Sequence, residues 1–156
     1  GRLIHYKRFD LGVEACSRLG RKLKVVGIGP QLNKLRNISD PECVQFVHNI
    51  GDDELRVLYA NARAFIFPQV EDFGLVAVEA QMCGCPVIAY GMGGSGETVE
   101  DGKTGVFFSE QTVDALVGAI KDFESKDFDR TYISKYAKCF SEEGFRDTIR
   151  EIVSSS

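Results

Sequence analysis

Residues 64–89, with the sequence AFIFPQVEDFGLVAVEAQMCGCPVIA, contain the pattern that decides the fold. Short apolar runs at 64–67 and 86–89 predict two buried strands, and the stretch between them predicts a helix over 75–83. This order of strand, helix and strand favours parallel pairing, because parallel strands need a long crossover connection and that connection is usually a helix. The stretch therefore indicates an α/β protein.

The same alternation continues on both sides of this unit. The predicted strands lie at 23–28, 43–47 and 106–108, and the predicted helices lie at 10–19, 51–62, 113–123 and near Glu97. We expect Asp10 to be the N-cap of the first helix, Gly20 to end it and Gly51 to cap the second. A terminal helix is predicted over 141–153. Such alternation indicates a doubly wound, Rossmann-like parallel sheet, which binds ligands beyond the carboxyl ends of its strands.

Length and composition indicate one globular domain spanning residues 1–156. The chain has 156 residues, of which 44% are hydrophobic, enough for one core. Its formal net charge of -4 argues against a nucleic-acid partner, because such binding relies on clustered Lys and Arg. The sequence has no apolar run of the ~20 residues that a membrane span needs and no signal peptide, so we expect a soluble, cytoplasmic domain.

The cysteines indicate neither a disulfide framework nor a zinc site. There are five of them, an odd number, and they lack the paired spacing of tetrahedral zinc ligands, so free thiols in a reducing cytoplasm are expected. Cys83 and Cys85 could chelate a metal or act in redox chemistry, but their apolar neighbours favour a place in the core. We therefore predict no metal site.

The beginning of the chain differs from what the fold class predicts. A doubly wound domain is expected to open with a strand, whereas Gly1 lies in what the pattern indicates is a loop that follows one. We therefore expect the first strand to be missing and the sequence to be a piece of a longer protein. Three cations, Arg2, Lys7 and Arg8, lie close together in this segment. On charge alone they could form an ordinary solvated terminus.

Two carboxylates stand on either side of a predicted helix start. Glu71 lies in the loop after a strand, and Glu79 lies two turns into the next helix, with seven residues between them. The N–H groups of Gly74, Leu75 and Val76 are expected to be free and to lie at the positive end of the helix dipole. They would bind phosphate oxygens. A pyrophosphate bound there would place a sugar near one acid and a ribose near the other. Spacing alone leaves open that both acids are ordinary surface residues.

The stretch 68–98 resembles the E-x7-E segment of the glycosyltransferase group 1 family, which forms family 4 of the retaining enzymes with the GT-B fold. Further blocks resemble the family's in order and spacing: a G-R-L-x-x-x-K-x-x-D opening at 1–10, a V-G-x-G-P block at 26–30, and a V-x-F-x-G block with an acidic helix start at 44–55. The resemblance covers residues 1–123. Within it, 46–49 lack the usual glycine, which leaves the base contacts open.

The resemblance implies a role for each matched residue. Arg2 and Lys7 would bind the donor pyrophosphate and offset the charge that develops on the leaving group. Glu71 would contact the donor sugar near its anomeric centre, and Glu79 would bind the ribose hydroxyls. The transfer itself would proceed by front-face substitution or by a covalent double displacement through Glu71. We accordingly assign catalytic roles to Glu71, Arg2 and Lys7. The donor-binding residues are expected to be Glu79, Asp72, Phe73, Gly74, Leu75, Val76, Gly29 and Phe46.

The implied function is transfer of a hexose from a nucleoside-diphosphate sugar to a glycan or lipid-linked acceptor in polysaccharide biosynthesis. The E-D-F-G form at 71–74 looks most like mannosyltransferase members, which favours GDP-mannose. The family implies neither a metal nor another cofactor. We expect an absent N-terminal domain to bind the acceptor, this chain alone to be inactive, and the full-length enzyme to associate peripherally with the inner face of the membrane. Two alternatives stay open: a non-catalytic nucleotide- or phosphosugar-binding module, and a sugar-phosphate synthase of the same family.

Overall fold

The computed structural model describes residues 1–141, Gly144 and Ser154. After a short 3-10 helix at His5–Lys7, helices and strands alternate as the sequence predicts, with bounds that differ by one or two residues. The helices are α1 (Phe9–Leu19), α2 (Leu32–Ile38), α3 (Asp52–Asn61), α4 (Leu75–Met82), α5 (Ser95–Thr98), α6 (Val113–Glu124) and α7 (Arg130–Lys138). The strands are β1 (Leu23–Val26), β2 (Val44–Val47), β3 (Phe65–Phe67), β4 (Val87–Tyr90) and β5 (Gly105–Phe108).

The strand pairings in the described part of the chain are all parallel. β1 pairs with β2, and β4 lies between β3 and β5, so that the strands form two hydrogen-bonded groups. Parallel strands joined by helices confirm the predicted α/β class. At the N-terminus, Arg2 forms a parallel bridge with Ile28, and the Leu3 N–H donates to the Ile28 carbonyl at 2.9 Å. This segment therefore lies alongside the chain that leaves β1.

Four apolar clusters in the described residues hold the helices against the strands, and two of them form most of the contacts of α1, α2 and α6. The larger cluster joins α1 and α6 to β4 and β5, through buried side chains that include Leu11, Ile88, Val106 and Leu116. The second cluster joins the N-terminal segment to α1, β1, α2 and β2, through Leu3, Val13, Val25, Leu35 and Val44. Each Å² of apolar surface buried in this way contributes about 25 cal/mol. Because Leu3 is fully buried, the segment that carries Arg2 is anchored to the core.

The start of α1 differs from the prediction, whereas its end agrees. Arg8 precedes the helix in the left-handed conformation, with φ of 52°, and Asp10 lies inside the first turn. The assignment of Asp10 as N-cap is therefore wrong, because its carboxylate accepts hydrogen bonds from the Arg8 guanidinium, at 3.1 and 3.2 Å. Gly20 ends the helix with φ of 64°, as predicted. Gly51 precedes α3, which confirms its role as a cap.

The sequence pattern does not predict two of the helices. α2 is short and fully buries only Leu35, so it lacks a strong apolar stripe. α7 packs against α4, buries Ile133 and Ala137, and is capped by the Asp129 carboxylate, which accepts from two N–H groups of the first turn. The helix predicted over 141–153 lies, apart from Ser141 and Gly144, outside the described residues. No helix that the structure describes has the length and apolar character needed to cross a membrane.

Candidate functional site

A tight turn leads from β3 to α4 and positions the loop that carries Glu71. Gly74, the last residue before α4, has φ of 69°, a left-handed conformation that other residues adopt only with strain. A Cβ at this position would also lie 3.4 Å from the Phe67 ring. Glycine is therefore required here by the backbone conformation, and the turn fixes both the loop and the helix start.

The first turn of α4 carries unpaired backbone donors. Within residues 1–141, no group accepts a hydrogen bond from the N–H of Gly74, Leu75 or Val76, whereas the Ala77 N–H donates to the Gly74 carbonyl at 2.9 Å. Leu75 is 61% exposed, so this end of the helix faces solvent. Unpaired N–H groups at the positive end of a helix dipole can bind an anion such as a phosphate.

Glu71 is held from three directions. Its carboxylate Oε1 lies 3.7 Å from Lys7 Nζ and accepts a hydrogen bond from Gln69 Nε2 at 2.5 Å. Its backbone carbonyl accepts from the Gly94 N–H at 2.7 Å. The Lys7 and Glu71 side chains are 17% and 25% exposed, so water shields their charges only in part. The fold thus brings Lys7 and Glu71, which are distant in sequence, into one site.

The glycine-rich loop after β4 packs directly on the Glu71 loop. A Cβ at Gly93 would lie 2.7 Å from the Glu71 carbonyl oxygen, and a Cβ at Gly94 would lie 2.4 Å from the Asp72 carbonyl oxygen and from Phe73 Cα. Both positions would be too close for any side chain, so the contact between the two loops requires glycine. The glycine-rich loop therefore approaches the backbone of the Glu71 loop closely.

A cavity of about 590 Å³ lies beyond the carboxyl ends of β1 and β2. Its lining combines the apolar side chains of Ile28 and Leu55 with the polar side chains of Arg2, His48 and Asn49. Arg2 is exposed and forms no ion pair with the residues that the structure describes. A concave site with apolar walls and a few polar groups suits a small ligand, and its place at the strand ends is where this fold class binds one.

The structure places most of the predicted site residues in two groups. Lys7 and Glu71 meet in the loop before α4, and the exposed Asp72 and Phe73 lie on the same loop. The remaining members of this group form the helix start: Gly74, Leu75 and Val76. Two further predicted residues, Arg2 and Gly29, line the cavity. Arg8, the third opening cation, is paired with Asp10.

Phe46 and Glu79 do not line the cavity. The Phe46 ring packs against the second apolar cluster, and the Arg36 guanidinium lies 5.8 Å from its centroid, so its contact with a donor stays a prediction. Glu79 is exposed on α4, near Tyr59 of α3. Burial raises the pKa of the Tyr59 phenol above its ordinary value, and the nearby Glu79 charge raises it further.

The structure buries Cys85 fully but Cys83 only in part, although the sequence pattern favours the core for both. All five cysteines are free, and Cys85 is fully buried, which confirms its place in the core. Burial raises the pKa of the Cys85 thiol to about 12. Within the part of the chain that the structure describes, no group of three or more His, Cys, Asp or Glu side chains is placed to hold a metal ion.

Gln69 is the residue of this site that sequence reasoning misses. It is 6% exposed and donates the hydrogen bond to Glu71 Oε1. Its signal in the sequence is weak: a polar residue at the end of an apolar strand, two positions before an acid. Sequence reasoning also misses His48, because the sequence indicates only a residue at the end of a strand, whereas the structure places it at the cavity.

A model of the family described as glycosyl transferases group 1 matches residues 1–140. The chain belongs to this family. The match to this glycosyltransferase family includes the opening cations, the cavity, the Glu71 loop and α4 in one continuous stretch. It also extends beyond residue 123, where the resemblance seen in the sequence ends.

Relatives within the group 1 glycosyltransferases support the same assignment. The chain is 36% identical over 138 residues to a GDP-mannose-dependent alpha-(1-6)-phosphatidylinositol monomannoside mannosyltransferase of Mycolicibacterium smegmatis, which covers 78% of this chain and 36% of that protein. It is 33% identical over 160 residues to a glycogen synthase of Thermus thermophilus, which covers 97% of this chain and 37% of that protein. The solved sucrose-phosphate synthase from Thermosynechococcus elongatus matches with a TM-score of 0.75 at 28% identity, over 100% of this chain and 45% of that chain.

The chain spans little more than a third of the length of these two curated relatives. The family match confirms the predicted family, and the solved neighbours, which are GT-B glycosyltransferases, confirm the predicted fold class. The chain is therefore a group 1 glycosyltransferase chain that carries the Glu71 site and the cavity beside Arg2.

Proposed function

We propose that this chain binds the nucleotide-sugar donor of a retaining transferase that moves a hexose, with mannose favoured, to a glycan or lipid-linked acceptor. The observation that carries the proposal is the pair formed by Lys7 and Glu71 beside the open start of α4. A nucleoside-diphosphate sugar needs cations and N–H donors for its diphosphate, next to acceptors for the sugar hydroxyls. Lys7 and the N–H groups at the start of α4 supply the first kind of group, and the Glu71 carboxylate supplies the second.

The diphosphate is the part of the donor that these residues fit most directly. The N–H groups of Leu75 and Val76 are unpaired within the described residues, and Lys7 lies next to the loop that precedes them. Arg2 adds a second cation at the cavity. Glycosyl transfer releases a nucleoside diphosphate, and fixed donors and cations stabilise the charge that develops on it. We propose that these groups offset that charge without a metal ion or another cofactor.

The sugar and the nucleoside lie on either side of the diphosphate in this scheme. The Glu71 carboxylate accepts hydrogen bonds from sugar hydroxyls and balances the positive charge that develops at the anomeric carbon. The nucleoside occupies the cavity beside Arg2 and Gly29. Glu79, exposed on α4, is the proposed acceptor for the ribose hydroxyls.

The names of the relatives support the choice of donor and acceptor. The relative from Mycolicibacterium smegmatis is GDP-mannose-dependent, which supports mannose as the hexose. That protein is named for a phosphatidylinositol mannoside and the Thermus relative for glycogen, so lipid-linked and glycan acceptors both have support. We propose that the acceptor binds outside this chain, in an enzyme that works in the cytoplasm at the inner face of the membrane.

Isothermal titration calorimetry with the purified chain tests donor binding. We expect GDP-mannose to bind more tightly than UDP-glucose or ADP-glucose, and Glu79→Ala to weaken that binding about tenfold through loss of a charged hydrogen-bond acceptor. Glu110→Ala removes another exposed glutamate, located after β5, and serves as a matched control that keeps the wild-type affinity. Absence of binding for all three nucleotide sugars, or an unchanged affinity in Glu79→Ala, would overturn the proposal.

A sugar-phosphate synthase is the second candidate. Sucrose-phosphate synthase is 28% identical and matches the whole of this chain, which favours an acceptor that is itself a phosphosugar. A protein that contains this chain can be incubated with donor and with either hexose phosphates or glycans, and its products identified by mass spectrometry. A phosphorylated disaccharide would support the synthase, whereas an extended glycan or glycolipid would support the first proposal.

A further inference from the structure

Gln69 is a buried polar side chain with one specific partner. It lies in the loop after β3, is 6% exposed, and donates from Nε2 to Glu71 Oε1 at 2.5 Å. Burying an amide costs free energy unless the amide is hydrogen-bonded, and this bond offsets the cost. The carboxylate only accepts hydrogen bonds, so the NH₂ group of Gln69 must face it. The orientation of the amide is therefore fixed by its partner.

The segment that carries Gln69 is fastened at both ends. The Pro68 carbonyl accepts a hydrogen bond from Gln111 Nε2 at 2.7 Å, which ties the segment to the chain that follows β5. The Glu71 carbonyl accepts from the Gly94 N–H at 2.7 Å, which ties it to the loop after β4. The Gln69 amide therefore meets the carboxylate from a fixed position.

The two oxygens of the Glu71 carboxylate differ in their contacts with neighbouring donors. Both nearby donors, Gln69 Nε2 at 2.5 Å and Lys7 Nζ at 3.7 Å, approach Oε1. Within residues 1–141, no donor forms a hydrogen bond with Oε2. At 3.7 Å, Lys7 Nζ is beyond hydrogen-bond distance of Oε1. Gln69 is therefore the contact that holds Oε1 when Lys7 turns to a diphosphate.

From this arrangement we infer that Gln69 is a positioning residue: it holds Glu71 Oε1 so that Oε2 faces the donor and accepts a hydrogen bond from a hydroxyl of the sugar. The inference rests on the proposed function, because it assigns the sugar contact to one oxygen of the same acid. Gln69 acts through Glu71 and does not touch the donor. Its removal should therefore affect recognition of the sugar and leave recognition of the diphosphate as it is.

The first test compares a nucleotide sugar with its own nucleoside diphosphate. Gln69→Met keeps the length and most of the volume of the side chain but removes the donor. By calorimetry, we expect this variant to bind GDP-mannose about five- to tenfold more weakly than the wild type and to bind GDP equally well. Gln81→Met is the matched control, because Gln81 is also fully buried but donates to the carbonyls of Thr98 and Ala77. The control should keep the wild-type ratio of the two affinities.

A double-mutant cycle and a ligand-free measurement complete the test. In a Glu71→Ala background, Gln69→Met should cause no further loss, because the carboxylate through which it acts is gone. In the ligand-free chain, the side-chain NH₂ resonances of Gln69, assigned in the wild type by triple-resonance NMR, should shift in Glu71→Ala. That spectrum does not require Gln69→Met to retain its fold in the binding assay.

The outcomes separate this inference from the function on which it rests. A wild-type chain that binds no nucleotide sugar overturns both. Wild-type binding of GDP-mannose combined with equal losses of GDP-mannose and GDP affinity in Gln69→Met overturns the positioning role alone. Unchanged Gln69 resonances in Glu71→Ala, or full additivity of the two substitutions, likewise overturn it.

Discussion

Lys7 Nζ lies 3.7 Å from Glu71 Oε1, and this contact joins the 3-10 helix near the N-terminus to the loop between β3 and α4. Both side chains are mostly shielded from solvent, so their attraction is weakened by water and salt less than that of a surface pair. The contact also keeps a cation beside a helix start that has unpaired N–H groups. A diphosphate that binds there can take Lys7 as its partner, while Gln69 still holds Glu71.

Replacing Lys7 with alanine should weaken binding of a nucleoside diphosphate about tenfold, because a charge-assisted contact to a phosphate oxygen is lost. The affinity of the variant should also depend less on salt, since fewer ionic contacts remain to be screened. Calorimetric titration of GDP at low and high salt measures both effects. Lys126→Ala removes a lysine that pairs with Asp122 in α6 and is the control. Identical salt curves for Lys7→Ala and wild type would contradict the prediction.

The contact between the two loops makes Gly94 sensitive to the smallest side chain. A methyl group at Gly94 would lie 2.4 Å from the Asp72 carbonyl oxygen, so Gly94→Ala should displace the Glu71 loop. We expect it to lower the free energy of unfolding by about 1–3 kcal/mol and to weaken donor binding.

Gly96 provides the matched control for this substitution. It lies in the same stretch of chain, but no atom is within 4 Å of the place that its Cβ would take. Gly96→Ala should therefore change the free energy of unfolding by less than about 0.5 kcal/mol. Urea denaturation of both variants, followed by circular dichroism, makes the comparison. Equal free energies of unfolding of the two variants would contradict the prediction, because the two loops would then accept the added methyl group without destabilising the chain.

The elements around Glu71 are predictable from sequence because their signals are local. Residues 64–89 alternate between short apolar runs and a helix-length stretch, and the structure has β3, α4 and β4 there. α2 and α7 are harder to predict, because α2 buries little and α7 depends on its packing against α4. The prediction for Asp10 fails because its carboxylate, which is suited to capping a helix, instead pairs with the neighbouring Arg8 guanidinium.

The site itself is only partly encoded in local pattern. The resemblance to a family singles out Lys7 and Glu71, but only the fold shows that they meet. Gln69 could not be found from spacing, because its burial and its bond to Glu71 depend on tethers from the loops after β4 and β5. The ring of Phe46 packs against the second apolar cluster, which the pattern does not indicate, and its contact with a donor stays a prediction.

Cys16 should make the stability of the chain fall at high pH. Burial in the larger apolar cluster, with a smaller effect from Cys43, raises the pKa of the Cys16 thiol to about 11. An unfolded chain ionises this thiol near its ordinary value of about 8.5, whereas the folded chain keeps it protonated. Its contribution to stability is therefore complete below about pH 8.5 and is lost as the pH rises towards 11.

Urea denaturation at a series of pH values measures this loss. Between those two pH values, the free energy of unfolding of Cys16→Ala should fall less steeply than that of the wild type, because the thiol that ionises only on unfolding is gone. Cys139→Ala removes an exposed thiol and should retain the wild-type slope. Identical slopes for Cys16→Ala and wild type would mean that this thiol ionises alike in both states.

The purified 156-residue chain should bind the donor without transferring its sugar. The groups proposed for the diphosphate and the sugar, Lys7, Glu71 and the first turn of α4, are all within the chain. The mannosyltransferase relative is matched over only 36% of its length, and we expect the residues that hold the acceptor to belong to the remainder. Incubation with radiolabelled GDP-mannose and lipid-linked or glycan acceptors, analysed by chromatography, should show intact donor and no labelled product. Turnover that disappears in Glu71→Ala would contradict this expectation and show that this chain alone completes the site.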